Sequence, residues 1–235
     1  MASRCTLLRP GRVAYQDAWQ LQQRIAQSVR DGGNPTLILL EHPPTYTLGV
    51  RGKSEHLLLS EAALRSRGAE VHRIDRGGDV TFHGPGQLVT YPIINIRSHG
   101  YGASTYVRML EATLIDVLAR CGIAAARSKR NPGVWVGEAK IAAIGVRVSR
   151  GVTTHGFALN VNTDLAYFQH IIPCGLVGAG VTSMQHIAGT TFDMLKVEAE
   201  TAAAFARHFD VTIEEDASNA SIALAPSLRT AAAPA

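Results

Sequence analysis

Twelve consecutive residues, Arg76-Gly77-Gly78-Asp79-Val80-Thr81-Phe82-His83-Gly84-Pro85-Gly86-Gln87, hold four glycines and a proline between two strand-like stretches. Glycine destabilises the interior of a helix or strand, and proline removes an amide donor, so the segment breaks regular structure. It predicts a wide loop over 76–87 whose backbone can approach a ligand closely, with Arg76 or His83 supplying charge or a proton. A turn whose glycines only satisfy positive φ is the plainer alternative. A dinucleotide fingerprint is excluded, because that motif spaces its glycines differently and opens a helix, whereas this loop leads into a strand. Gly52-Lys53-Ser54 imitates the end of a phosphate loop, but Thr47 stands where the first glycine belongs.

Around this loop the apolar periodicity switches between helix and strand. Ala14, Ala18, Leu21, Ile25 and Val29 recur at helical spacing up to Asp31-Gly32-Gly33, and Thr36 to Glu41 reads as a strand closed by His42-Pro43-Pro44. Ser60 caps a short helix that stops by Gly68, and Glu70 to Ile74 alternates like a half-buried strand. Leu88 to Ile96 predicts a strand in which Pro92 marks an edge or a bulge, followed by a helix through Tyr106, Leu110, Leu114, Val117 and Cys121. Val134 to Val136, Ile141 to Val148 and Thr153 to Val161 predict an antiparallel meander. A last helix from Asp193 to Phe209 and a strand from Asp210 close the pattern. Meander strands and separate helices indicate an α+β fold rather than βαβ alternation. We expect one catalytic domain over 1–216 and a flexible alanine-rich tail over 217–235.

Charge and cysteine usage narrow the function. The chain of 235 residues is 46% hydrophobic and 18% charged, with no run near the roughly 20 apolar residues that span a bilayer. The first ten residues lack the apolar core of a secretory signal, so a cytoplasmic location is expected. A net charge of +4 favours acidic partners only weakly. Arg127-Ser128-Lys129-Arg130, the densest basic run, has no interleaved aromatics and reads as a solvated loop, so no nucleic-acid partner is expected.

Three cysteines without Cys-x-x-Cys spacing suggest neither a disulfide framework nor a zinc ribbon. Cys5 lies near a terminus expected to be mobile, and Cys121 lies on a buried helical stripe. Cys174, held between Pro173 and Gly175, is the one thiol set for display; an inert core thiol is its plainer reading. Lys140 opens an apolar strand, where burial lowers a lysine pKa and a nearby ammonium lowers that of a thiol; the alternative is a lysine that snorkels from a strand end. His155, Asn160 and Asn162 accompany Gly156 on a further strand, as pocket lining or as strand-end hydrogen-bonding groups. No metal site is expected at His170, because no ligand pair has suitable spacing.

Together these segments resemble the octanoyltransferase family in order and spacing. The likeness runs from Glu41-His42-Pro43-Pro44 and Tyr46-Thr47-Leu48-Gly49 to Gly180-Val181-Thr182-Ser183. Its most specific blocks are Arg76-Gly77-Gly78 through Gln87, Lys140-Ile141-Ala142-Ala143-Ile144-Gly145, His155-Gly156-Phe157-Ala158-Leu159-Asn160, and Pro173-Cys174-Gly175. Phe82, Asp79 and Ala139 depart from the usual family residues without removing a group the chemistry needs.

The resemblance implies the fold of lipoate and biotin protein ligases, a mixed central sheet flanked by helices with a smaller second sheet. It implies Cys174 as acyl-thioester nucleophile and Lys140 as its activator. Substrate binding would fall to Arg76, Gly77, Gly78, Asp79, Val80, Thr81, Phe82 and His83, to Ala143, Ile144 and Gly145, and to Gly156, Phe157 and Ala158, with His155 and Asn160 in support. It implies octanoyl-acyl-carrier protein as donor and, as acceptors, lipoyl domains of 2-oxoacid dehydrogenases and the glycine cleavage H protein, with no cofactor. Two other readings stay open: an ATP-dependent lipoate protein ligase, and a non-catalytic module that docks acyl-carrier or lipoyl domains.

Overall fold

The computed structural model describes residues 3–129, 131–172 and 180–216. In chain order, β1 (Ser3–Arg12), α1 (Tyr15–Arg30), β2 (Thr36–Glu41) and β3 (Thr45–Leu48) are followed by α2 (Glu61–Arg65) and β4 (Glu70–Arg73). Then come β5 (Val80–His83), β6 (Gln87–Ile93), α3 (Ala103–Arg120), β7 (Ala126–Arg127), β8 (Gly133–Val136), β9 (Ala139–Ser149) and β10 (Val152–Asn160). The described chain closes with β11 (Gly180–Val181), α4 (Met184–Ala188), α5 (Met194–Phe209) and β12 (Val211–Glu215).

A nine-stranded mixed sheet runs β12-β1-β2-β6-β10-β9-β8-β7, with β11 added against β9; a second sheet runs β4-β3-β5. Both faces of the large sheet are covered, which is why β2 reads as an unbroken apolar run. Leu37 and Leu39 join the core under α3 and α5, while Ile38 and Leu40 join the core under α1. Tyr46, Leu48, Leu64, Val80 and Phe82 form a third core at the small sheet. The expected α+β architecture, the meander β8-β9-β10 and the Ser60 cap, whose hydroxyl accepts the Ala63 amide, are all present.

Three expectations are corrected. Cys5 belongs to no frayed end: it is fully buried in β1, held between β2 and β12, which both run parallel to it. The 76–87 segment is not one loop, because Val80–His83 pairs with β3 as β5, a long-range partner that local composition hides. Pro92 sits in the interior strand β6, flanked by β2 and β10, and the irregularity falls on β10 instead. The β6–β10 ladder stops at Thr90↔Phe157; beyond it His155 turns to φ 58, and the Thr153 hydroxyl donates to the Pro92 carbonyl at 2.7 Å. The missing proline amide is thus met on the opposing strand, where His155 turns its backbone and Gly156, lacking a Cβ, lets the Pro92 ring pack closely before pairing resumes at Asn95↔Val152.

Candidate active site

Lys140 reaches the site because β9 carries a bulge. Val134 pairs with Ala142 but Trp135 pairs with Lys140, so β9 spends one extra residue there. Ile141 and Ala142 therefore both enter the core under α3, and Lys140 falls on the same face as Ala143 and Gly145. Strict alternation would have put the lysine on the other face. The residue is 9% exposed; Nζ donates to Asn131 Oδ1 at 2.6 Å and lies 5.0 Å from the centre of the Trp135 ring. The buried Glu111 fixes this approach by accepting the Gly133 amide at 3.1 Å and the Arg127 guanidinium at 3.0 Å.

The small sheet lies over this face. The Gly77 amide donates to the Val146 carbonyl of β9, and a Cβ on Gly145 would stand 2.9 Å from Arg76 Cδ and 3.0 Å from the Gly77 carbonyl. Only glycine lets the Arg76–Gly77 segment come this close. Between the layers lies a narrow cavity whose empty space, counting the open solvent at its mouth, is about 510 Å³. A second cavity of about 330 Å³ shares Thr81, Lys140, Ala143 and Ala158 with it, so Lys140 stands at their junction.

Of the residues expected to bind substrate, Arg76, Gly78, Asp79, Val80, Thr81, His83, Ala143, Ile144, Gly145, Gly156, Phe157 and Ala158 line the larger cavity. Gly77 and Phe82 do not. Gly77 is spent on the β9 contact, and Phe82 stacks on Tyr167 at 4.5 Å inside the small-sheet core. Phe157 and Ile144 line the cavity and also pack against the core beneath α3, beside the small side chains of Ala143 and Ala158. His155 lines the far end, and Asn160 lines the second cavity, where its amide bridges Gln87 Nε2 and the Thr182 carbonyl. Asn162 instead binds the Phe192 backbone through both its side-chain atoms. Cys174 lies outside the described residues.

The buried histidines are neutral for structural reasons. Arg76 donates to Thr47 Oγ1, so the Thr47 hydroxyl donates to His83 Nε2, and His83 Nδ1–H donates to Gln87 Oε1 at 2.9 Å. Burial, with His42 and Arg76 nearby, holds His83 well below the usual histidine range, so it supplies no charge. His42 donates Nδ1–H to the Val13 carbonyl and accepts from the Tyr91 hydroxyl; burial pushes it down to about 4. His155 donates Nε2–H to Asp75 at 2.8 Å, yet burial and the charges of Arg76 and Arg147 push it down to about 3. That contact is a neutral N–H to carboxylate bond, since Arg147 already pairs with Asp75.

Above pH 6.5 these histidines are neutral in both folded and unfolded chains and cost nothing. Below it the unfolded chain takes up protons that the folded one refuses, so stability falls from pH 6.5 down to the folded pKa of about 4 for His42 and about 3 for His155. Between pH 7 and 5 the melting temperature should drop by on the order of 10 °C. A flat profile in differential scanning calorimetry over that interval would contradict the neutral assignment.

Sequence reading missed Tyr15 and Tyr91 at the polar end of the cavity, Asp75 behind His155, and Asn131 on Lys140. Asp75 adjoins Arg76 and was open to notice; the others are joined to the site only by tertiary packing.

The lipoyl protein ligase A/B catalytic domain model matches residues 14–206. An octanoyltransferase of Alkaliphilus metalliredigens is 46% identical over 207 residues, covering 87% of this chain and 95% of that protein. The chain belongs to the octanoyltransferase family. An octanoyltransferase of Myxococcus xanthus is 49% identical over 212 residues, covering 87% of this chain but only 59% of that longer protein. Among solved structures, the bipartite lipoate protein ligase of Thermoplasma acidophilum, described with its E2 lipoyl domain, superposes with a TM-score of 0.72 at 20% identity, over 92% of this chain and 87% of that one. That likeness establishes the shared fold. The cavity, Lys140 and the Arg76–His83 segment all lie within the stretch matched by the lipoyl protein ligase A/B catalytic domain model.

Proposed function

We propose that this protein transfers an octanoyl group from octanoyl-acyl-carrier protein to a lysine of a lipoyl domain through an S-acyl intermediate on Cys174. The observation that carries the reading is the placement of Lys140, a buried lysine lining the cavity in a member of this family. Because a thioester is already activated, the reaction needs no ATP. A neighbouring ammonium raises the thiolate fraction of Cys174, whose free thiol would ionise near pKa 8.5. Thiolate attack on the donor carbonyl forms the Cys174–acyl bond and expels the carrier thiolate, which takes the Lys140 ammonium proton and leaves Lys140 neutral. The acceptor ammonium then gives one proton to Lys140, its nitrogen attacks the acyl carbon and releases its second proton to solvent, and Cys174 departs as thiolate.

The acyl chain runs from Lys140 along β9 toward Gly145 and His155, five residues or roughly 15 Å of strand. An eight-carbon chain is no longer than three extended residues, about 10 Å, so in this reading it ends short of Tyr15, Tyr91 and His155. Ala143 and Ala158, cross-strand partners, form the wall beside its middle. Ala158→Val should therefore shift preference toward shorter chains, each lost methylene contact being worth about 0.8 kcal/mol or roughly fourfold. Competition between hexanoyl and octanoyl carriers reads this directly; an unchanged ratio would place the chain elsewhere.

Acceptors are lipoyl domains of 2-oxoacid dehydrogenases and the glycine cleavage H protein, and the reaction belongs to the cytoplasm. Among the described residues no helix is long and apolar enough to cross a membrane. The test is an ATP-free assay with octanoyl-carrier protein and a lipoyl domain. Octanoyl-lysine formation supports the reading; strict ATP dependence would instead favour the ligase.

A further inference from the structure

The residues that lead into β8 form a cradle around the Lys140 side chain. Gly133 packs on its stem: a Cβ there would stand 3.3 Å from Lys140 Cε and 2.6 Å from the Ala142 carbonyl. The buried Glu111 carboxylate accepts the Gly133 amide at 3.1 Å, so the two preceding residues pass the end of the lysine. There Nζ donates to Asn131 Oδ1 at 2.6 Å and, at a longer 3.4 Å, to the Pro132 carbonyl, with the Trp135 ring beside it. Both acceptors are neutral amide oxygens. An aspartate at 131 would offer an oxygen in the same place with a full negative charge, which favours the ammonium form of the lysine.

A neutral primary amine carries two N–H bonds and one lone pair in tetrahedral directions. With the N–H bonds taken by Asn131 and Pro132, the direction of the lone pair is set, and Lys140 lines both cavities. We infer that Asn131 is a positioning residue for the second half of the reaction: by accepting one N–H of neutral Lys140 it aims the lone pair at the incoming acceptor ammonium without holding the amine as a cation. This rests on the reading of Lys140 as proton acceptor. The proton passes from the acceptor nitrogen to Lys140 Nζ, and Asn131 itself neither gains nor loses one. Around the lysine, among the described residues, Glu111 is paired with Arg127, Arg76, Asp79 and His83 line the shared cavity, and Glu138 is exposed on the turn before β9. These groups are the same in every variant at 131, so a change in Lys140 titration isolates that position.

The test compares the unaltered protein with Asn131→Asp and Asn131→Ala, each with its melting temperature. Lys140 is one of four lysines in the chain, so NMR of lysine labelled with carbon-13 at Cε follows its titration, with Lys140→Met marking its signal. Octanoyl transfer from the preloaded enzyme to a lipoyl domain is then followed in a single turnover as a function of pH. In Asn131→Asp the Lys140 midpoint is expected to rise by about one pH unit or more and the pH limb of transfer to rise with it, leaving the rate about tenfold lower below both midpoints and restored at higher pH. In Asn131→Ala the maximal rate should fall by about tenfold or more with half-saturation by the lipoyl domain unchanged, because the lone pair is no longer aimed. An unmoved Lys140 midpoint in Asn131→Asp, a transfer limb that does not follow it, or wild-type rates in Asn131→Ala would overturn the inference. An unaltered protein that makes no octanoyl-lysine would overturn the underlying reading, and the inference with it.

Discussion

Cys174→Ala is expected to lose octanoyl transfer by at least about 10³-fold while retaining its fold, because no other sulfur can take over the intermediate. Cys5 is fully buried in β1, and burial pushes its thiol up to about 12. Cys121 is half-buried at the end of α3, with burial and Glu200 both raising its pKa. Neither offers thiolate at neutral pH. Cys174→Ser should fail similarly, since an alcohol needs a far stronger base than the lysine proposed here. Steady-state transfer and intact mass read both results. A Cys174→Ala protein that still makes octanoyl-lysine when given ATP and octanoate would be a ligase.

The second large effect is expected at Lys140. Lys140→Arg keeps a cation but loses the capacity to accept a proton at working pH, and its planar group cannot reproduce the short bond to Asn131 beside Trp135. We expect a loss of about 10²–10⁴-fold in transfer, the usual contribution of a positioned acid or base. Lys140→Met removes the charge as well, so it should slow formation of the Cys174 adduct itself. If the arginine variant transfers at near-normal rate, Lys140 acts through charge alone and the proton step fails.

Much of this architecture was legible because local signals and burial agree. The Ser60 cap, the α1 stripe and the β8-β9-β10 meander each follow from short-range pattern. What escaped was set by distant partners. β5 exists because β3 pairs with it, and β1 because β2 and β12 enclose it. Lys140 was recognisable as a costly residue in an apolar strand, but the face it occupies depends on the bulge at Ile141–Ala142, which no alternation rule announces. For the same reason Ile141, next to the lysine in an apolar strand, turns into the core beneath α3, while Ala143 falls on the cavity face. The cavity is shaped by small residues whose importance sequence alone does not mark.

The most direct measurement is the pH dependence of alkylation of Cys174, mapped to its peptide, in the unaltered protein and in Lys140→Met. A thiol activated by the lysine should alkylate with a midpoint clearly below the free value of about 8.5, rising to that value or higher when the ammonium is removed. The same midpoint in both proteins would contradict the pairing of Cys174 with Lys140.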